Sequence, residues 1–229
     1  MPSNDSLFHD ISHAEAPILP LDWAIPFKAY CSLDLSIENK ELNGIVISDP
    51  LACQRYIDSV LEKNGAQVAY GGYLEKRALY ADSDRFSEGG ARNIHLGVDF
   101  WCKAGTNVIA PLNATVHSFK NNSDKGNYGP TIILEHKSPV GAMFYTLYGH
   151  LSVQSLDGLY RGKPVKRGDV LAGLGTPDIN VNYAPHLHFQ LIVDLQGYNG
   201  DYPGVCSQEH VEFYRNNCPD PNLLLGFPE

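Results

Sequence analysis

From about residue 94 onward the chain breaks into short runs rich in β-branched and aromatic residues: NVIAPL, ATVHSF, TIILEH, MFYTLYGHL, DVLAGL and HLHFQLIVD, separated by Gly, Pro and Asn turns. Runs of this length, recurring about every ten residues with stretches of period two, predict an antiparallel sheet or sandwich. No βαβ alternation, Gly-rich phosphate loop, internal repeat or low-complexity segment competes with that reading. The expected fold class is therefore mainly β.

The flanks read differently. Residues 1–30 carry Pro17, Pro20 and Pro26 and little pattern, which predicts an extended arm whose Ile18, Leu19, Leu21, Trp23 and Phe27 lie on the domain surface. One helix is expected at 50–64: Asp49 can cap it, Pro50 suits its first turn, and Gly65 suits its stop. Cys53, Ile57, Val60 and Leu61 mark its apolar face. Residues 71–90, with Gly71–Gly72 and Gly89–Gly90, read as loop. The tail CPDPNLLLGFPE reads as irregular chain packed back through Leu223–Leu225. At 229 residues, this gives one domain with extensions: an arm and helix over 1–90, a β core over 91–197, and an irregular extension over 198–229.

A formal charge of −9 argues against nucleic acid and against anionic membrane surfaces as partners. No segment approaches the ~20 apolar residues of a membrane span. The sequence opens MPSNDSLFHD, without a basic n-region or long apolar run, so a cytoplasmic location is expected. The five cysteines, Cys31, Cys53, Cys102, Cys206 and Cys218, are scattered and form no CxxC, so reduced, mostly buried thiols are expected.

Of the nine histidines, four stand in unusual settings. His186 and His188 form HLH at the head of an apolar run. On a strand, residues i and i+2 share a face, roughly 6–7 Å apart. The pair can therefore address one small site, with Gln190 and Ile192 continuing that face and Leu187, Phe189, Leu191 and Val193 on the other. His95 and Asp99 form HLGVD. A straight strand would hold them about 13 Å apart, so a shared site demands a bend, for which Gly97 offers backbone freedom. Two imidazoles and a carboxylate make an accepted catalytic zinc set with a fourth position for water. His150 ends an alternating run through Phe144, Thr146 and Tyr148, where a lone histidine is ordinarily just hydrogen-bonded. His117, His136, His9, His13 and His210 read as structural. Arg92 is a candidate for a substrate carboxylate or a surface ion pair; Tyr73, Tyr80 and Tyr128 are candidates for groove lining or plain packing.

In order along 95–192, HLGVD, AGTNVIAPLNATV, YGPTIILEH, YTLYGHLS, GKPVKRGDVLAGLG and PHLHFQ resemble the M23 family of zinc metallopeptidases, the lysostaphin or LytM type. The resemblance implies a lysostaphin-like antiparallel β-sheet groove of the duplicated hybrid motif type. It implies Zn2+ held by His95, Asp99 and His188, with His150 and His186 as catalytic histidines. It also implies endopeptidase cleavage of peptide or peptidoglycan-like substrates. Two departures stand out: Tyr128-Gly129-Pro130 where the family often has YGN, and Gln190 where many members have an acid. GGYLEKRALY before the core and PDPNLLLGFP after it resemble the M23 segment of fused bacterial proteins, in which a phosphotransferase-like domain precedes it and a class III aminotransferase follows. Two other expectations stand beside the peptidase: a non-catalytic metal-binding or interaction module, and a hydrolase of small-molecule amides.

Overall fold

The computed structural model describes residues 17–78, 92–124, 126–180 and 183–227. Its centre is an eight-stranded sheet. The strands are β1 (Tyr30–Ser32), β2 (Val68–Gly71), β4 (Val98–Trp101), β6 (Ala114–Asn122), β7 (Gly129–Lys137), β8 (Met143–Gly149), β9 (Pro164–Val165) and β11 (His186–Ile192). They lie side by side in the order β1-β2-β4-β11-β8-β7-β6-β9. Every pairing is antiparallel except β1 with β2, which run parallel. Two small ribbons flank the sheet. One pairs β5 (Asn107–Ile109) with β10 (Val170–Gly173), and the other pairs β3 (Ile94–His95) with β12 (Val205–Cys206). The mainly β expectation is met. No helix among the described residues is long and apolar enough to cross a membrane.

Period two sorts the sheet residues onto its two faces. Val98 and Phe100, Ile132 and Leu134, Phe144 and Tyr148, and Leu187, Phe189 and Leu191 all enter one large core. The alternate positions, Asp99 and Trp101 on β4 and His186, His188 and Gln190 on β11, therefore fall on the opposite face. That face is covered as well, since all seven residues of β11 are buried.

Helix α1 (Pro50–Asn64) forms where expected. The Asp49 side chain accepts from the Ala52 N–H at 2.7 Å, and Gly65 ends the helix at φ 59°. Cys53, Tyr56, Ile57 and Val60 pack with Leu33, Leu35 and Trp101 in a second core. All five cysteines are free.

Three expectations for the flanks need correction. Ile18 and Leu21 are not on the surface but in the main core, because the arm docks at both ends. The Ile109 N–H donates to the Pro20 carbonyl, and the Ile18 N–H donates to that of Leu225. Trp23 does stay exposed. Residues 71–78 are not plain loop: the Leu74 N–H donates to the His95 carbonyl, the His95 N–H to that of Glu75, and the Arg77 N–H to that of Asn93. The C-terminal extension is not irregular throughout. It contains α2 (Val211–Asn217) and α3 (Asn222–Leu225), and Leu224 and Leu225 are buried. His9, His13, Tyr80 and Gly89–Gly90 lie outside the described residues.

Candidate metal centre

The bend demanded by HLGVD is present. His95 ends β3 and Asp99 sits on β4, so the two residues belong to different sheets. Gly97 is needed there for space rather than for an unusual φ. A Cβ at this position would lie 2.6 Å from the Phe189 carbonyl oxygen and 2.8 Å from Cε1 of His188. Bare backbone thus lets the turn press against the strand that carries the second histidine.

Sheet register brings in the rest. His188 pairs with Asp99 on β4 and with Gly149 on β8; His186 pairs with Trp101. The Asp99 Oδ1 atom lies 3.3 Å from His95 Nε2 and 3.2 Å from His188 Nδ1, and the two nitrogens are 2.9 Å apart. His95, Asp99 and His188 each place one ligand atom within 4.8 Å of the other two.

The outer hydrogen bonds of these rings are what a metal ligand needs. The Nδ1–H of His95 donates to the Gly72 carbonyl at 2.9 Å, and the Nε2–H of His188 donates to Gln190 Oε1 at 2.9 Å. Each bond leaves a lone pair on the inward nitrogen. Gln190 is itself oriented, since its amide donates to the Pro203 carbonyl and to Sγ of Cys218. Two buried lone pairs and a carboxylate oxygen converging on one point repel one another unless a cation or proton lies between them, so the donor set fits a divalent ion.

Electrostatics agree. Burial, reinforced by the Arg77 guanidinium, depresses the His95 imidazole to about 4. Burial alone would raise the Asp99 carboxyl, but His95, Arg77 and His186 outweigh it and hold it well below the usual carboxylate range. A neutral imidazole and an ionised carboxylate are the forms that bind metal.

His150 and His186 stand beside this set, ring centroids 4.1 Å apart. The Nδ1–H of His186 donates to the Ala184 carbonyl at 2.7 Å, and its ring stacks on Trp101 at 3.9 Å. Burial depresses its imidazole to about 4. His150 occupies a left-handed backbone position at φ 62°, uncommon for a residue with a side chain. Its carbonyl is held by Gly175 N–H and by the Asn180 amide, both at 3.0 Å. Its Nδ1 is buried and has no hydrogen-bond partner among the described residues. Burial, then the neighbouring His186 and His188, push its imidazole well below the ordinary range.

All five residues line one cavity of about 200 Å³, with Arg92, Tyr128, Tyr183 and the 201–205 segment on its walls. Tyr128 therefore does line the site. Tyr73 is not among its lining residues; its hydroxyl donates to the Cys218 carbonyl. His136 is structural, its Nδ1–H donating to the Asn113 carbonyl and its Nε2 accepting from the Thr146 hydroxyl. Cys102 is a buried thiol pushed up to about 11 by desolvation.

Arg77 joins the site without having stood out in the sequence. Its side chain is buried, and Nη1 donates to Asp99 Oδ2 at 2.6 Å. Its sequence signal is weak: an acid and an arginine two apart, just after a Gly-Gly pair.

A mainly β scaffold with a buried His-Asp-His cluster defines a protein with a candidate metal centre. Residues 93–200, which contain all five clustered residues, match the model of peptidase family M23. An uncharacterized metalloprotease of Haemophilus influenzae is 33% identical over an alignment of 126 residues that covers 52% of this chain and 24% of that protein. The chain thus spans about a quarter of that relative's length. The catalytic domain of lysostaphin from Staphylococcus simulans aligns with TM-score 0.37 at 22% identity, covering 64% of this chain and 88% of that one. A zinc containing peptidase from Vibrio cholerae aligns with TM-score 0.39 at 24% identity, covering 54% and 32%.

Proposed function

We propose that the chain is a zinc-dependent hydrolase of peptide or amide bonds, with His95, Asp99 and His188 holding the ion and His150 and His186 serving the chemistry. The observation that carries this reading is the convergence of Nε2 of His95, Oδ1 of Asp99 and Nδ1 of His188 on one buried point. The match of residues 93–200 to peptidase family M23 supports it. Zinc held there would act as a Lewis acid, lowering the pKa of a bound water toward ~7 and polarising a carbonyl.

The protein's own groups supply the rest. With its Nδ1–H committed to Ala184, neutral His186 keeps a lone pair on Nε2 and can accept a proton from the attacking water. The Trp101 stack holds that ring in place. His150, its backbone pinned by Gly175 and Asn180, presents its imidazole N–H as a hydrogen-bond donor to the developing oxyanion, and the proton taken up by His186 passes on to the leaving amine. Peptides, including peptidoglycan-like ones, are the substrate class that the family match favours. The small volume of the cavity, about 200 Å³, favours a second possibility within the same chemistry, a short or small-molecule amide.

The test is metal analysis of the purified chain, followed by hydrolysis assays on peptidoglycan fragments, glycine-rich peptides and a small amide library. One zinc per chain with turnover, lost by a factor of about 100 or more in His150→Ala, is expected. Zinc without turnover of any substrate would favour a non-catalytic binding module. Full metal content in Asp99→Ala would sink the ligand assignment.

A further inference from the structure

Asp99 has two oxygens with separate partners. Oδ1 faces His95 and His188, while Oδ2 receives Nη1 of Arg77 at 2.6 Å. The Nε–H of Arg77 donates to Oε2 of Glu75, and Oε1 of Glu75 accepts from the Leu35 N–H at 2.9 Å. The chain Leu35–Glu75–Arg77–Asp99 is buried from end to end or nearly so. Gly72 makes room for it. Its φ of 106° suits glycine, a Cβ there would overlap Nη2 of Arg77, and its carbonyl accepts from His95. Backbone bonds from Arg77 to Asn93 and from His95 to Glu75 keep these side chains in register with the ligand strand. Glu75, Arg77 and Gly72 all lie outside the residues that match the family.

We propose that Arg77 is a positioning residue of the metal centre: it occupies Oδ2 of Asp99, so that the carboxylate offers the ion Oδ1 alone, while Glu75 balances the guanidinium charge. This rests on the metal-binding reading above. A buried arginine next to a cation site is unfavourable without a compensating anion, which is the physical need that Glu75 meets. A carboxylate held to one oxygen keeps the ligand count low and leaves positions open for water and substrate.

The test compares the full wild-type chain with Arg77→Lys and with the double variant Glu75→Leu, Arg77→Met, which replaces the ion pair by apolar side chains. Circular dichroism and Tm are measured on metal-free protein, zinc affinity by competition with a chromophoric chelator, and the visible absorption of the Co2+-loaded protein. The double variant is expected to fold, to bind zinc about 10- to 100-fold more weakly, and to show a weaker Co2+ band as both oxygens of Asp99 engage and the coordination number rises. Arg77→Lys, with a point charge in place of the planar fork, is expected to fall between the two. Zinc affinity within threefold of wild type and an unchanged Co2+ spectrum in a folded variant would overturn the proposal. Loss of folding in both variants would also count against it, because a positioning role is separable from the fold. A wild-type chain that binds neither ion would overturn the metal reading instead.

Discussion

Gly97 shows how much one missing side chain decides. The HLGVD motif brings its two ends together because bare backbone at this position lies against the Phe189 carbonyl and the His188 ring. In Gly97→Ala the Cβ meets backbone at 2.6 Å, which no rotamer change relieves. We expect that variant to lose about 1–3 kcal/mol of stability and about tenfold or more in zinc affinity, read by denaturant unfolding and chelator competition. His136 makes a pH prediction away from the site. Burial depresses its imidazole from 6.5 to about 4, so the native state holds it neutral while the unfolded chain protonates below 6.5. Its contribution is complete above pH 6.5 and is lost as the pH falls toward 4. At most this amounts to roughly 3 kcal/mol. His136→Gln, which keeps a donor and an acceptor but cannot titrate, should flatten the fall in Tm between pH 7 and pH 5.

At the level of elements, α1 and β11 are legible in the amino-acid sequence alone. Helix α1 carries its own punctuation in Asp49, Pro50 and Gly65. Asp49→Ala should cost about 1 kcal/mol, seen as a lower denaturation midpoint at unchanged slope. β11 carries its period, with Leu187, Phe189 and Leu191 in the core and His186 and His188 turned the other way. The C-terminal helix α2 is not legible. Its seven residues, VEFYRNN, are too few to show a helical period, and only Val211 is buried. Strand β2 is equally hidden, because four residues that end in the first glycine of a Gly71–Gly72 pair resemble a turn more than the neighbour of β4.

For the whole molecule, the flanks are integral to the core. The arm reaches Val108 and Leu225, β1 and β2 extend the sheet, and Pro203 and Cys218 orient Gln190 behind His188. On the metal-binding reading proposed above, a ligand set tied into so many segments would couple metal binding to global stability. Removing metal with a chelator should lower Tm, and zinc at 100 times its Kd should restore about 2.7 kcal/mol, whereas Asp99→Ala should show no such recovery. A Tm indifferent to chelation in the wild-type chain would refute the coupling.

The sequence by itself determined the β class and the capped helix, because these follow from periodicity and turn chemistry; it marked the five residues that meet at the site through the resemblance of their motifs to a known family, since local spacing alone left His150 an ordinary residue. Only the tertiary structure decided the outer partners: Gly72 and Arg77 from one flank, Pro203 and Cys218 from the other. Those contacts depend on strand register and on which segments pack over the second face of the sheet, and neither leaves a periodic signal in the chain.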